Sequence, residues 1–146
     1  MRVLVQRVIQ AQVTVNHKVV GQIGPGLLAF FGVHLNDQPT VTTWLAKKLT
    51  SLRIFSDQQG KMNLNVTDIE GEILVVSQFT LYASCQNGNR PDFKQAALPE
   101  LAFLLYEKFL SDLIPLIKKP LQTGVFGADM AISLVNDGPV TLLLEK

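Results

Sequence analysis

The stretch VLVQRVIQAQVTV, residues 3–15, decides the fold because of its regular alternation. Its odd positions are apolar except for Arg7, and its even positions are mostly polar. A period of two is typical of a strand with one buried face. The sequence therefore predicts that the chain begins with a long or bent strand, and Arg7 is out of place on its apolar face.

Further strands are predicted on both sides of a central one. Residues 16–18 form a turn into the returning arm of a hairpin, 19–23. Residues 27–33, LLAFFGV, are apolar on both faces, as in a central strand. Later strands are expected at 72–76, 121–126, 130–135 and 140–144, with a tight turn at 136–139 between the last two.

Two helices complete the prediction. Asp37 is expected to cap the first, whose early turn carries Pro39 and whose apolar stripe runs to Leu52. Pro99 opens the second, and Pro115 ends or kinks it. Two helices are too few to cover both faces of a parallel sheet. We therefore expect an α/β chain of the α+β type: a strongly curved mixed sheet or barrel flanked by two main helices, in a single domain spanning 1–146.

Composition excludes several classes of protein. Thirteen basic and 12 acidic side chains give a net charge of +1, without the strong field of a non-specific nucleic-acid binder, so any RNA must bind at a local pocket. Cys85 is alone, which excludes an intramolecular disulfide. His17 and His34 are too few for a metal cluster, and we expect no cofactor. No apolar run reaches about 18 residues and the N-terminus resembles a strand, so we expect a cytoplasmic protein without membrane association.

The segment Ser77-Gln78-Phe79-Thr80 is the first candidate site. It offers two hydroxyls, an amide and an aromatic face where an apolar strand ends. Hydroxyl and backbone N–H donors there can position a water or stabilise the oxyanion of ester hydrolysis, and the ring can stack on a base. The alternative is an ordinary strand end whose polar side chains satisfy nearby backbone groups.

The segment Asn136-Asp137-Gly138-Pro139-Val140-Thr141 is the second candidate. A Gly-Pro bond accommodates the cis form at low cost, and glycine leaves the neighbouring carbonyls unshielded. The loop could thus present main-chain oxygens to a ligand. The alternative is an Asp-Gly turn between two strands.

Arg7 is the third anomaly. A charge on an apolar strand face needs acceptors, which could be backbone carbonyls of a special loop, a carboxylate or RNA. The alternative is a bulge that turns Arg7 out to solvent.

Five motifs in this order make the chain resemble the D-aminoacyl-tRNA deacylase family, also called D-tyrosyl-tRNA deacylases, over its whole length. They are 1–8 (MRVLVQRV), 77–82 (SQFTLY), 89–93 (NRPDF), 126–130 (FGADM) and 136–141 (NDGPVT).

The resemblance implies a homodimer that hydrolyses D-aminoacyl-tRNA and excludes L-esters. Each site would combine residues 77–81 of one subunit with the cis Gly138-Pro139 loop of the other, whose carbonyls screen the stereocentre. Because glycine has no side chain to reject, glycyl-tRNA would also be cleaved. Arg7 would orient these carbonyls, with Asn136 and Thr141 in support. Phe126, Gly127 and Met130 would border the terminal adenosine.

The expected mechanism is RNA-assisted hydrolysis. Backbone N–H groups near Phe79 and Thr80 would bind the ester carbonyl oxygen, the Thr80 hydroxyl would position water, and the ribose 2'-hydroxyl would assist. In a competing mechanism Thr80 is a covalent nucleophile. Two further alternatives are a non-catalytic module that binds RNA 3' ends and a general esterase with its own side-chain nucleophile.

Overall fold

The computed structural model describes all 146 residues, Met1 to Lys146. The strands are β1 (Arg2–Val15), β2 (Lys18–Ile23), β3 (Gly26–Gly32), β4 (Phe55–Ser56), β5 (Met62–Leu64), β6 (Glu72–Ser77), β7 (Gln122–Thr123) and β8 (Ala131–Glu145). The helices are α1 (Thr40–Ser51) and α2 (Pro99–Leu113), with 3-10 turns at Phe79–Tyr82 and Ile114–Leu116. No helix has the length and apolar character needed to cross a membrane.

Six strands form one mixed sheet in the order β2-β1-β3-β6-β7, and β8 pairs along the other edge of β1. The pairs that β1 makes are antiparallel, whereas β3–β6 and β6–β7 are parallel. The two ends of this order meet, since a Cβ on Gly21 in β2 would lie 2.6 Å from the carbonyl oxygen of Thr123 in β7. The sheet therefore nearly closes into a barrel, which confirms the predicted fold class.

The curved sheet separates two apolar clusters. One fills the barrel and includes Leu28 and Leu74; the other lies under the helices and includes Leu27 and Ile73. Successive residues of a strand point to opposite faces, so the parts of β3 and β6 between the two clusters, 27–31 and 73–76, are apolar at every position. The uninterrupted apolar run of β3 is thus explained by burial on both sides.

Asp37 does not cap α1. Pro39 occupies the capping position without a side-chain hydrogen bond. The Asp37 carboxylate instead accepts from the Met1 amino group at 2.7 Å and from the His34 N–H at 2.6 Å. The charged amino group of Met1, just before β1, is a stronger partner than a neutral amide, so it binds the carboxylate. The end of α2 is as predicted, at Leu113, two residues before Pro115.

The two C-terminal strands expected on either side of a tight turn are one strand, β8. Val8 faces Asn136 and Gln6 faces Thr141, so residues 137–140 together face Arg7 alone. The chain bulges outward there and continues in the same direction. Asp-Gly-Pro composition fits a bulge as well as a reversal, because both need an interrupted ladder. The strand expected at 121–126 is only Gln122–Thr123.

Candidate functional site

The segment after β6 changes direction sharply to form the 3-10 turn Phe79–Tyr82. The Gln78 N–H donates to the carbonyl oxygen of Phe31 in β3 at 2.7 Å, which fixes where the turn starts. The turn lies directly on Gly32, where an added Cβ would come within 2.9 Å of the Gln78 carbonyl oxygen. The glycine at the end of β3 therefore makes room for the turn.

Two backbone donors at the start of this turn have no acceptor in the chain. Phe79 and Thr80 are its first two residues, whose N–H groups have no partner within a helix. Neither N–H donates to a turn, loop or side-chain acceptor. Phe79 is 56% exposed, so the donors lie at the surface. Two adjacent N–H groups without acceptors can stabilise a developing oxyanion.

The Thr80 hydroxyl accepts a hydrogen bond from the side-chain amide of Gln78. No histidine, carboxylate or lysine side chain is hydrogen-bonded to it. Both of the chain's histidines are elsewhere: the His34 Nδ1 accepts from the Asn36 N–H, and His17 lies in the turn between β1 and β2. The surroundings of Thr80 thus hold its hydroxyl in place without supplying a base.

A cavity of about 600 Å³ adjoins the turn. Ser77, Gln78 and Phe79 form one wall, and Phe126, Gly127 and Met130 form part of another. The structure therefore brings three residues of the predicted catalytic segment to the same cavity as the residues predicted for the adenosine pocket, whereas Thr80 does not line it. A volume of several hundred Å³ with mostly apolar walls and a few polar groups is typical of small-ligand sites.

A third wall was missed in the sequence. The start of α2 and the residues before it supply it: Ala96, Ala97, Leu98, Pro99, Ala102 and Tyr106. Burial raises the pKa of Tyr106, whose hydroxyl donates to the Val75 carbonyl oxygen at 3.2 Å. The periodic stripe of α2 indicated only that the helix packs on a core. The small alanines of this wall carry no sequence signal for a pocket.

The Gly138-Pro139 loop is not part of this cavity. Both residues are exposed, and their peptide bond is cis. A Cβ on Gly138 would meet nothing within 4 Å. Within one chain, the tip of the loop that was predicted to complete the site is therefore exposed and lies outside the cavity.

Arg7 is buried beneath that loop and not turned out to solvent, with 8% of its surface exposed. Its Nη1 donates to the Ile54 carbonyl oxygen, and its Nε lies 2.7 Å from the Asp137 carboxylate, close but without hydrogen-bond alignment. We expected Arg7 to orient the Gly138 and Pro139 carbonyls, but none of its hydrogen bonds goes to them. The carboxylate next to the loop is the nearer and more strongly attracting partner.

Two supporting residues fasten the base of the loop. The Asn136 side-chain amide donates to the Arg7 carbonyl oxygen at 2.8 Å and to the Val140 carbonyl oxygen at 3.1 Å. The Thr141 hydroxyl accepts from the Gln6 amide at 3.3 Å. Asn136 thus links both ends of the bulge to β1.

Known proteins of one family are similar to this chain over its whole length. The model of the D-Tyr-tRNA(Tyr) deacylase family matches residues 4–145. A D-aminoacyl-tRNA deacylase from Protochlamydia amoebophila is 52% identical over 149 aligned residues, covering 100% of this chain and 96% of the relative. One from Flavobacterium psychrophilum is 50% identical, covering 100% and 97%.

Two solved structures share the fold. The c-Myc DNA Unwinding Element Binding Protein is 39% identical with a TM-score of 0.94, covering 100% of this chain and 99% of that one. A probable eukaryotic D-amino acid tRNA deacylase is 18% identical with a TM-score of 0.82, covering 98% and 97%, and this similarity shows the fold alone. Family model and relatives confirm the membership and the enzyme class predicted from the sequence: the chain belongs to the D-Tyr-tRNA(Tyr) deacylase family.

Proposed function

We propose that the protein hydrolyses the ester of D-aminoacyl-tRNA, releasing the free D-amino acid and tRNA in the cytoplasm. The observation that carries the proposal is the pair of free N–H groups on Phe79 and Thr80 beside an apolar cavity. A carbonyl oxygen that gains negative charge needs such donors, and the terminal adenosine needs such a cavity. Phe126, Gly127 and Met130 form the part of the wall that borders the adenosine.

In the chemical step, water attacks the ester carbonyl carbon and the bond from that carbon to the ribose oxygen breaks. The attacking water loses a proton as it forms the new C–O bond, and the ribose oxygen takes up a proton and leaves as a hydroxyl, so the proton lost and the proton gained balance. The Phe79 and Thr80 N–H groups stabilise the oxyanion, and the Thr80 hydroxyl, held by Gln78, positions the water. The neighbouring ribose 2'-hydroxyl donates a hydrogen bond that assists the attack.

Selectivity for the D-form requires the Gly138-Pro139 loop of a second copy of the chain. The loop is exposed and unpacked in one chain, while the cavity beside the turn is open. β8 pairs only with β1 and exposes Val135 and Leu143, so an apolar sheet edge is free for association. In the homodimer the loop carbonyls exclude L-side chains, and glycyl-tRNA is also cleaved.

Release of labelled amino acid from D-tyrosyl-, L-tyrosyl- and glycyl-tRNA tests the proposal. We expect fast release from the first and third and none above background from the second. A non-catalytic binder of RNA ends would protect all three esters. A general esterase would cleave small L-acyl esters and react with serine-directed inhibitors, and either result would refute the proposal.

The role of the turn is tested by two substitutions at one position. Phe79→Pro removes the N–H at the first position of the turn, where proline is tolerated, and Phe79→Ala removes the ring alone. Loss of one oxyanion donor costs about 100-fold in kcat. We expect that loss only in Phe79→Pro; equal kcat in the two variants would show that the N–H is not used.

Thr80→Ala separates water positioning from covalent catalysis. Substantial residual turnover is expected, whereas a nucleophile would leave almost none. A substrate ending in 2'-deoxyadenosine should be hydrolysed more slowly, and unchanged turnover would eliminate assistance by the RNA.

Complementation tests whether two chains share a site. Phe79→Pro has a defective turn and Gly138→Phe a defective loop, so each homodimer lacks any intact site. A mixed dimer carries one intact site of two, and random assembly would restore about a quarter of wild-type turnover. No recovery after co-expression would place turn and loop in separate functions.

The name of the similar DNA-unwinding-element protein raises binding of DNA as another function. Here the net charge is +1, which gives little attraction to duplex phosphates. We therefore do not expect the protein to bind duplex DNA with the steep salt dependence that many phosphate contacts produce.

A further inference from the structure

Arg2, the first residue of β1, contacts two separate parts of the chain, the 3-10 turn and the end of β8. Its Nη1 donates to the Leu81 carbonyl oxygen at 2.8 Å, and its Nε donates to Glu145 Oε1 at 3.1 Å. Its guanidinium carbon also lies 4.6 Å from the centre of the Tyr82 ring. Leu81 and Tyr82 are the last two residues of the 3-10 turn, so one side chain holds the end of that turn.

The turn is otherwise fixed at its start, from below and through Tyr82, which is 4% exposed and whose ring centre lies 5.2 Å from that of the His34 ring. Gln78 is hydrogen-bonded to Phe31 in β3, and Gly32 lies beneath the backbone. At its end the Ala83 N–H donates to the Thr80 carbonyl oxygen at 3.0 Å, a bond inside the same segment. The bond from Arg2 to Leu81 therefore ties the end of the turn to the sheet, one residue after Thr80.

We propose that Arg2 is a positioning residue that sets the direction of the Phe79 and Thr80 N–H groups. The inference rests on the proposed function of that turn. A displaced oxyanion donor lowers the rate of the chemical step and leaves substrate binding largely unaltered, since the adenosine contacts lie across the cavity. A planar guanidinium donates to a carbonyl and a carboxylate while stacking on a ring, which a lysine ammonium cannot do.

The competing explanation is a surface ion pair with Glu145. The Glu145 side chain is 53% exposed, and ion pairs of this kind contribute little to stability. Under that explanation Glu145→Gln would match any change at Arg2. Under ours, Glu145→Gln keeps an acceptor for Nε and leaves the bond to Leu81, so kcat is preserved.

The test compares kcat, KM and thermal stability for hydrolysis of D-tyrosyl-tRNA. Arg2→Met keeps the aliphatic stem and removes the donors, and Arg2→Lys is measured beside it in case the first variant folds poorly. Arg53→Met is the matched control, because Arg53 also donates to a carbonyl oxygen and a side chain, both of Asn63, at 2.8 Å.

We expect kcat to fall about tenfold in both Arg2 variants with KM within about twofold of wild type. Arg53→Met and Glu145→Gln should keep wild-type kcat. The positioning role is refuted if the Arg2 variants keep wild-type kcat. It is also refuted if Glu145→Gln loses as much kcat as they do, or if their loss of kcat only matches a loss of folded protein. If Phe79→Pro equals Phe79→Ala, the proposed function of the turn itself fails, which is a separate outcome.

Discussion

The two halves of the proposed site differ in how the chain supports them. The 3-10 turn Phe79–Tyr82 is held by β3 and Arg2 and lies on Gly32. The Gly138-Pro139 loop is fastened only at its base, by Arg7 and Asn136, and its tip meets nothing. The turn is therefore complete in one chain, whereas the tip of the loop would gain neighbours only in the proposed homodimer.

The largest loss of turnover is expected from a substitution that prevents two chains from associating. Leu143→Asp places a charge on the exposed face of β8, where Leu143 is 53% exposed. We expect a monomer in sedimentation experiments and turnover reduced about 100-fold or more, since each site would lack its loop. Leu104→Asp on α2, at 60% exposure, is the control and should stay dimeric and active. A dimeric, active Leu143→Asp would contradict the shared site.

A matched pair of glycine substitutions measures the contrast directly. A Cβ on residue 32 collides with backbone at 2.9 Å, and one on residue 138 meets nothing. Gly32→Ala should therefore lower both the melting temperature and kcat, the latter about tenfold or more. Gly138→Ala should keep the melting temperature and slow D-tyrosyl-tRNA hydrolysis about tenfold. Equal melting temperatures in the two variants would remove the distinction between a packed and an unpacked half.

Discrimination between D and L esters should depend on Arg7. Arg7→Ala removes the ion pair to Asp137 and the bond to the Ile54 carbonyl, so the loop loses its support. We expect the D-to-L ratio of kcat/KM to fall about tenfold. Asp137→Asn keeps the shape and removes the charge, which should give a smaller fall. Full discrimination in Arg7→Ala would end the proposed role of this residue.

The smallest effect concerns pH and lies away from the site. Burial raises the pKa of Asp112, but hydrogen bonds from Thr42, Lys108 and Thr43 outweigh it, so its pKa is lowered overall from 3.8. The stabilisation is present above pH 3.8 and is lost as the pH falls through the lowered value. Denaturant titrations should show Asp112→Asn about 1 kcal/mol less stable at pH 7, with the gap closing as the pH falls below 3.8. A constant gap would show that the carboxylate charge is not involved.

The fold was largely predictable because burial leaves a direct record in the chain. The two-sided apolar run of β3 and the alternation in β1 reflect which faces meet a core. Asp37 and the bulge in β8 were misinterpreted because their signals are local while their partners, Met1 and Arg7, are distant in sequence. Motif resemblance singled out the turn and the residues proposed to border the adenosine, but small residues at the start of α2 gave no sign that they line a cavity.

The bulge in β8 has a consequence for how selectivity can change. β1 and β8 stay in register from Arg2 to Gln6 on one side and from Gln10 to Thr14 on the other. Residues 137–140 can thus be lengthened, shortened or replaced while the strands on both sides of them stay paired. If this loop discriminates between substrates as proposed, its tip can be exchanged on an unaltered frame, and new substrate preferences are accessible without rebuilding the barrel.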